Sequence, residues 1–190
     1  DESWVGGRTR GKGRGVHDMV LVAGAVEVRQ RKRRGSLNKR KTGRYGGRVR
    51  LAVVPDRSAK SLVGFIERAV VPGASIITDD WASYAKLRGH GYLHTAVPER
   101  GNMDVTETFL PIIHLVFSNL KTWLRGIHHG VSPQHLQAYL NEFTFRFNRR
   151  FYPFNAFRSL LGIGTNGEGP TYDGLYSGEW RHPTMVSHHD

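Results

Sequence analysis

Cysteine is absent from the 190 residues, which excludes disulfides and any thiolate metal site within them. Long apolar runs are absent too. None approaches the ~20 residues that a membrane-spanning helix needs, and nothing reads as a signal peptide. Acids are scarce, 16 against 28 Lys and Arg, so the formal net charge is +12. A field of that sign attracts polyanions. The length suits one domain with a proper core rather than two, and a hydrophobic fraction of 38% is sufficient for it.

The positive charge is unevenly placed. Residues 29–50 hold eleven Lys or Arg, and no acid occurs from Val28 to Pro55. Such a run reads as a solvated loop, and a flexible basic loop still binds phosphates by counterion release. Large apolar residues are not interleaved with the charges, so nucleic acid suits this segment better than an anionic membrane.

Patterning gives an ordered series of elements. Val-rich 16–28, with Gly and Ala between the valines, suits a buried strand, and 48–55 suits a second. The two are expected to form a hairpin around a basic loop insertion at 29–47. Residues 58–70 have a Ser N-cap and helical apolar spacing at Leu62, Phe65, Ile66 and Ala69. A short strand ending at Asp79 follows, then a short helix at 81–89 closed by Gly89, then a strand at 92–97. After a polar loop at 98–108, a helix from about 109 to 125 places Leu110, Ile113, Phe117, Leu120 and Leu124 on one stripe. Ser132 and Pro133 open a further helix with Leu136, Leu140, Phe143 and Phe147 on its core face. A last short helix at 155–162 precedes an irregular tail at 163–190. This order fits an α/β fold with a mixed sheet flanked by helices.

Three groups of residues carry chemical potential. Asp79 ends an apolar strand at a strand-to-helix turn, where open α/β sheets place their ligands. One helix needs one cap, so Asp80 is expected to cap and Asp79 to serve as a ligand. His114, Ser118, Lys121 and Arg125 form a polar stripe beside the apolar one. On spacing alone that stripe equally describes a basic solvent face. Glu142 and Arg146 are spaced as a surface pair. His128 and His129 are expected in a loop near Gly126 and Gly130, as structural or phosphate-contacting groups.

The segments DESWVGG, ITDDWASY, HLVFSNLKTWLRGIHHG and SPQHLQAYLNEFTFRFNRR resemble, in order and spacing, the catalytic domain of bacterial insertion-sequence transposases of the DDE superfamily. The closer resemblance is to the ISXO2-like subgroup, in which Asn or His often replaces the third acid and a Lys follows seven residues later. It covers about residues 1–162. It implies an RNase H-like fold, Mg2+ or Mn2+ as cofactor, and strand cleavage and transfer at transposon ends. By motif, Asp1 corresponds to the first catalytic acid and Asp79 to the second. His114 takes the third position, with 34 residues between it and Asp79, and Lys121 the basic one; Asn119 is a secondary candidate.

On that resemblance Asp1, Asp79 and His114 are the metal ligands. Two ions about 4 Å apart activate the attacking oxygen and stabilise the leaving one. Hard cations take carboxylate oxygens, and an imidazole in third place shifts tolerance towards Mn2+. The DNA-binding candidates are Arg31, Lys32, Arg33, Arg34, Lys39, Arg40, Lys41, Arg125, Arg146, Arg149 and Arg150. The implied partners are transposon-end and target DNA, with homo-oligomers forming on DNA, no membrane, and a cytoplasmic, nucleoid-associated location. The chain opens with Asp, inside what reads as a strand, so upstream residues are expected. Two other readings compete: a catalytically inactive, truncated remnant that only binds DNA, and an RNA-binding module stacking bases on Phe143, Phe145 and Phe147.

Overall fold

The computed structural model describes residues 1–6, 19–30, 43–97, 110–129 and 131–166. Three strands, β1 (Glu2–Val5), β2 (Val20–Gln30) and β3 (Arg44–Val53), form an antiparallel sheet in the order β1-β2-β3. A second sheet pairs β4 (Ser75–Asp79) with β5 (Leu93–Val97) in parallel. The helices are α1 (Ala59–Ala69), α2 (Pro111–His128), α3 (Leu136–Arg149) and α4 (Pro153–Asn166), with short 3-10 segments at Ala82–His90 and Pro133–His135.

Side-chain alternation along β2 explains the layering. Val22 joins a core with Ile113, Phe117 and Leu120 of α2 and Leu136, Leu140 and Phe143 of α3. Its neighbours Leu21 and Ala23 face the other way, into a core with Leu62, Phe65 and Ile66 of α1 and with Tyr84 and Leu87. A strand buried on both faces must be apolar at every position, which is why 20–26 reads as a continuous Val, Leu, Ala and Gly run. Gly24 lets α2 approach closely, because a Cβ there would lie 2.8 Å from Phe117 Cζ. β3 lies at the edge of its sheet, and α3 satisfies part of that edge. Asn148 accepts from Val49 N at 2.7 Å and donates to Val49 O at 3.1 Å, and Gln137 accepts from Val53 N at 2.9 Å.

Several expectations are corrected. The strands pair in two sheets, one antiparallel and one parallel, where one mixed sheet was expected: the four residues of β1 pair with β2. The hairpin extends further into the basic stretch than the 29–47 loop allowed. Pairing continues past a bulge between Val26 and Val28 to Arg29↔Tyr45 and Gln30↔Arg44, and Glu27 draws in Arg29 at 2.9 Å and Arg48 at 3.4 Å. The segment after Asp79 is 3-10 and closes on Gly91, at φ 83°, not on Gly89. Its cap position is Trp81, with no side-chain cap bond, so Asp80 does not cap it. α2 runs on to His128 and ends at His129 in the left-handed region, φ 53°. His128 is thus helical, its ring packed 4.8 Å from Trp123 and 4.6 Å from Tyr139. α4 continues to Asn166, into the expected tail; residues 167–190 and the loop at 98–109 lie outside the described residues. Among the described residues no helix is long and apolar enough to cross a membrane.

Candidate active site

The first acid and the polar stripe of α2 meet on one face of β1. Strand alternation turns Asp1 and Ser3 the same way and Glu2 the opposite way. Asp1 Oδ2 lies 3.1 Å from His114 Nε2, and its Oδ1 accepts from Glu2 N at 2.7 Å. Lys121 Nζ donates to Ser3 Oγ at 2.8 Å. Two turns of helix therefore align with two strand positions: His114 and Lys121 of the stripe face β1, while Ser118 and Arg125 are exposed. Burial, then the positive charge of Arg125, pushes the Lys121 ammonium below its ordinary value. Asn119 is exposed; five positions beyond His114, it is turned by about 140° around the helix.

The second acid is reached from the other side. Asp79 is buried at the C-terminal end of β4, the place the sequence assigned to it. Its Oδ2 lies 3.9 Å from Arg57 Nη2. The same guanidinium pairs with Glu2 Oε1 through Nε and Nη2. Tyr84 donates its hydroxyl to Glu2 Oε2 at 2.6 Å. The Glu2 side chain is only 2% exposed, so these donors replace its water. Arg57 is itself fixed. Its guanidinium lies 4.1 Å from the Trp81 ring centroid, and its carbonyl accepts from Trp81 Nε1 at 3.2 Å and Ser83 Oγ at 2.6 Å. Burial, followed by the Glu2 bond and the charges of Glu2 and Asp79, pushes the Tyr84 phenol far above its usual value. Asp79 is linked to β1 through Arg57, whose guanidinium also pairs with Glu2, the neighbour of Asp1.

Sequence reading missed Arg57 and Tyr84 and gave Glu2 no separate role. The available signal was alternation: two consecutive acids on a strand cannot serve the same face.

Two carboxylates from different sheets plus an imidazole have the donor chemistry for a divalent cation with some nitrogen tolerance. As arranged, Asp1 contacts His114 and Glu2 N, and Asp79 faces Arg57. Among the described residues no group of three or more His, Asp or Glu stands close enough to hold a metal ion.

The basic candidates separate. Arg31, Lys32, Arg33, Arg34, Lys39, Arg40 and Lys41 lie outside the described residues. Arg125 is exposed late in α2. Arg146 pairs with Glu142 at 2.8 Å, and Arg149 lies 4.0 Å above the Phe145 ring. Arg150 donates to the carbonyls of Phe147 at 2.6 Å, Gly47 at 3.3 Å and Gly46, and covers the Phe147 ring at 3.7 Å. Its donors fasten the end of α3 to β3. Phe143 is buried and Phe147 packs against the same core, so these rings do not form an exposed base-stacking platform.

Searches of curated proteins and of solved structures returned no match. The family model of the ISXO2-like transposase domain matches residues 1–148, a span holding β1, Asp79 and the whole of α2. The chain belongs to that family of DDE-superfamily insertion-sequence transposases.

Proposed function

We propose that this chain is the catalytic domain of a DDE-type transposase that cleaves DNA strands at transposon ends and transfers them to a target. The single observation that carries this reading is the meeting of Asp1 with His114 at 3.1 Å, with Asp79 tied through Arg57 to Glu2, the next residue of the same strand. Two residues far apart in sequence, each at a position of the family motif, are in contact, and the third reaches the same strand through the Arg57 guanidinium.

Asp1, Asp79 and His114 would hold Mg2+ or Mn2+. Such an ion supplies Lewis-acid activation of the attacking oxygen and stabilises the leaving one. The protein's own groups do the rest. His114 contacts the Asp1 carboxylate, and Lys121, anchored on Ser3, places a positive charge for a DNA phosphate or for charge developing in the transition state. Arg125 extends that surface. In an RNase H-like reading the two sheets are one in order, β3-β2-β1-β4-β5. The Glu2–Arg57 ion pair, reaching on to Asp79, supports β1 and β4 as neighbours. Action on DNA as a homo-oligomer, at the nucleoid in the cytoplasm, belongs to the same proposal.

The test is nicking of a duplex bearing the transposon end by the complete protein. Mn2+- or Mg2+-dependent cleavage lost in Asp79→Ala is the expected result. Undiminished cleavage by that variant removes Asp79 from the mechanism and the proposal with it.

A further inference from the structure

We infer, building on the transposase reading above, that Arg57 is the resident counter-ion of the second acid, so that its guanidinium and a divalent cation compete for Asp79. No motif singled out Arg57; the case for it is geometric. The guanidinium stands 3.9 Å from Asp79 Oδ2 and pairs at the same time with Glu2, whose side chain is 2% exposed. A carboxylate buried to that degree requires a partner charge, so Glu2 fixes the cation in place. The Trp81 ring beneath the guanidinium and the two donors on the Arg57 carbonyl fix it further. The positive charge beside Asp79 is therefore part of the framework and not a mobile surface arginine.

That placement has two consequences. Without a metal, Arg57 stands between the Glu2 and Asp79 carboxylates and offsets their repulsion, while His114 contacts Asp1. When a divalent cation approaches Asp79, the same guanidinium repels it, and the low exposure of the site weakens solvent screening of that repulsion. Arg57 acts through Asp79 and Glu2 and is a positioning residue rather than a catalytic one.

The experiment measures Mn2+ binding to the full chain by loss of the free-ion electron paramagnetic resonance signal. It compares wild type with Arg57→Gln, Arg57→Lys and Glu2→Gln, each checked for folding by circular dichroism. Arg57→Gln is expected to bind Mn2+ about tenfold more tightly, and Arg57→Lys, which keeps the charge, to stay near wild type. Glu2→Gln keeps hydrogen-bonding capacity but leaves the guanidinium with Asp79 as its remaining anion, so Mn2+ binding weakens. A residue that merely held the strands together would weaken binding in both Arg57→Gln and Glu2→Gln. Folded Arg57→Gln that binds Mn2+ no more tightly than wild type overturns the inference. Should that variant not fold, unchanged affinity in Glu2→Gln overturns it instead. Wild-type binding that is absent, or indifferent to Asp79→Asn, overturns the metal-site reading itself along with the inference.

Discussion

Glu2 shows how the site is stabilised one residue at a time. Its carboxylate has left water almost entirely and accepts from Arg57 and from the Tyr84 hydroxyl. A hydrogen bond to a charged group is worth about 1.5–3 kcal/mol, and a buried acceptor left short of one donor costs as much. Tyr84→Phe is expected to lower unfolding stability by roughly 2 kcal/mol, read from urea titration. Tyr84 also sets a pH dependence. Its phenol is held neutral in the fold, chiefly by burial and then by the Glu2 bond, so the folded value stands above the unfolded one of ~10. The contribution is complete below pH ~10 and declines as pH rises beyond it, because only the unfolded chain readily loses the proton. Stability measured across about pH 9–11 should therefore fall in the wild type and fall less steeply in Tyr84→Phe. Equal slopes would place the phenol's proton outside the folding equilibrium.

At the scale of elements, packing of α2 on β2 sets the position of His114 and Lys121, and Gly24 sits under that packing. A methyl group there meets Phe117 Cζ at 2.8 Å and Ile113 Cδ1 and Leu51 Cδ2 at 3.1 Å. Overpacking of a filled core costs about 1–3 kcal/mol, so Gly24→Ala should destabilise by that amount. Phe117→Leu, which withdraws the nearest atom, should recover part of it, with recovery measured by thermal unfolding. Without recovery in the double variant, the cost lies in the backbone and not at the helix contact. Much of this level was legible in the sequence, because local period and caps decide it. The Ser58 cap of α1, accepting from Ser61 N, the β2–β3 hairpin and the apolar stripe of α2 all follow from spacing of a few residues. The 3-10 geometry after Asp79 did not follow, since its nine residues carry almost no amphipathic signal and their form is set by contacts with α1. The division into two sheets and the Glu2–Arg57–Tyr84 network were beyond reach for a related reason. They join residues 55 and 82 positions apart, and nothing in either local segment announces the other. The motif resemblance marks Asp1, Asp79, His114 and Lys121 as candidates, but the partner each one has in the fold was not legible.

For the whole molecule, the proposed hold on DNA depends on net charge and its placement, and basic residues of one type do different work. A charge of +12 makes affinity salt-dependent, because each phosphate neutralised on B-DNA contributes about −0.9 to the slope of log K against log salt. Arg150 contributes little to that slope, since its donors are committed to the carbonyls of Gly46, Gly47 and Phe147. Arg150→Gln should lower the unfolding temperature and leave the slope nearly unchanged. The stretch holding Arg31, Lys32, Arg33 and Arg34 has no acid to compete with phosphate. Replacing those four by Gln should reduce the slope by up to about 3 to 4, while leaving Mn2+ binding intact. Binding to a duplex across roughly 50–200 mM salt measures both variants. If the fourfold variant keeps the wild-type slope, the segment does not touch the backbone, and affinity must come from the face of α2 that carries Lys121 and Arg125. In that case Arg125→Gln, at an exposed position late in α2, is the substitution that flattens the salt dependence.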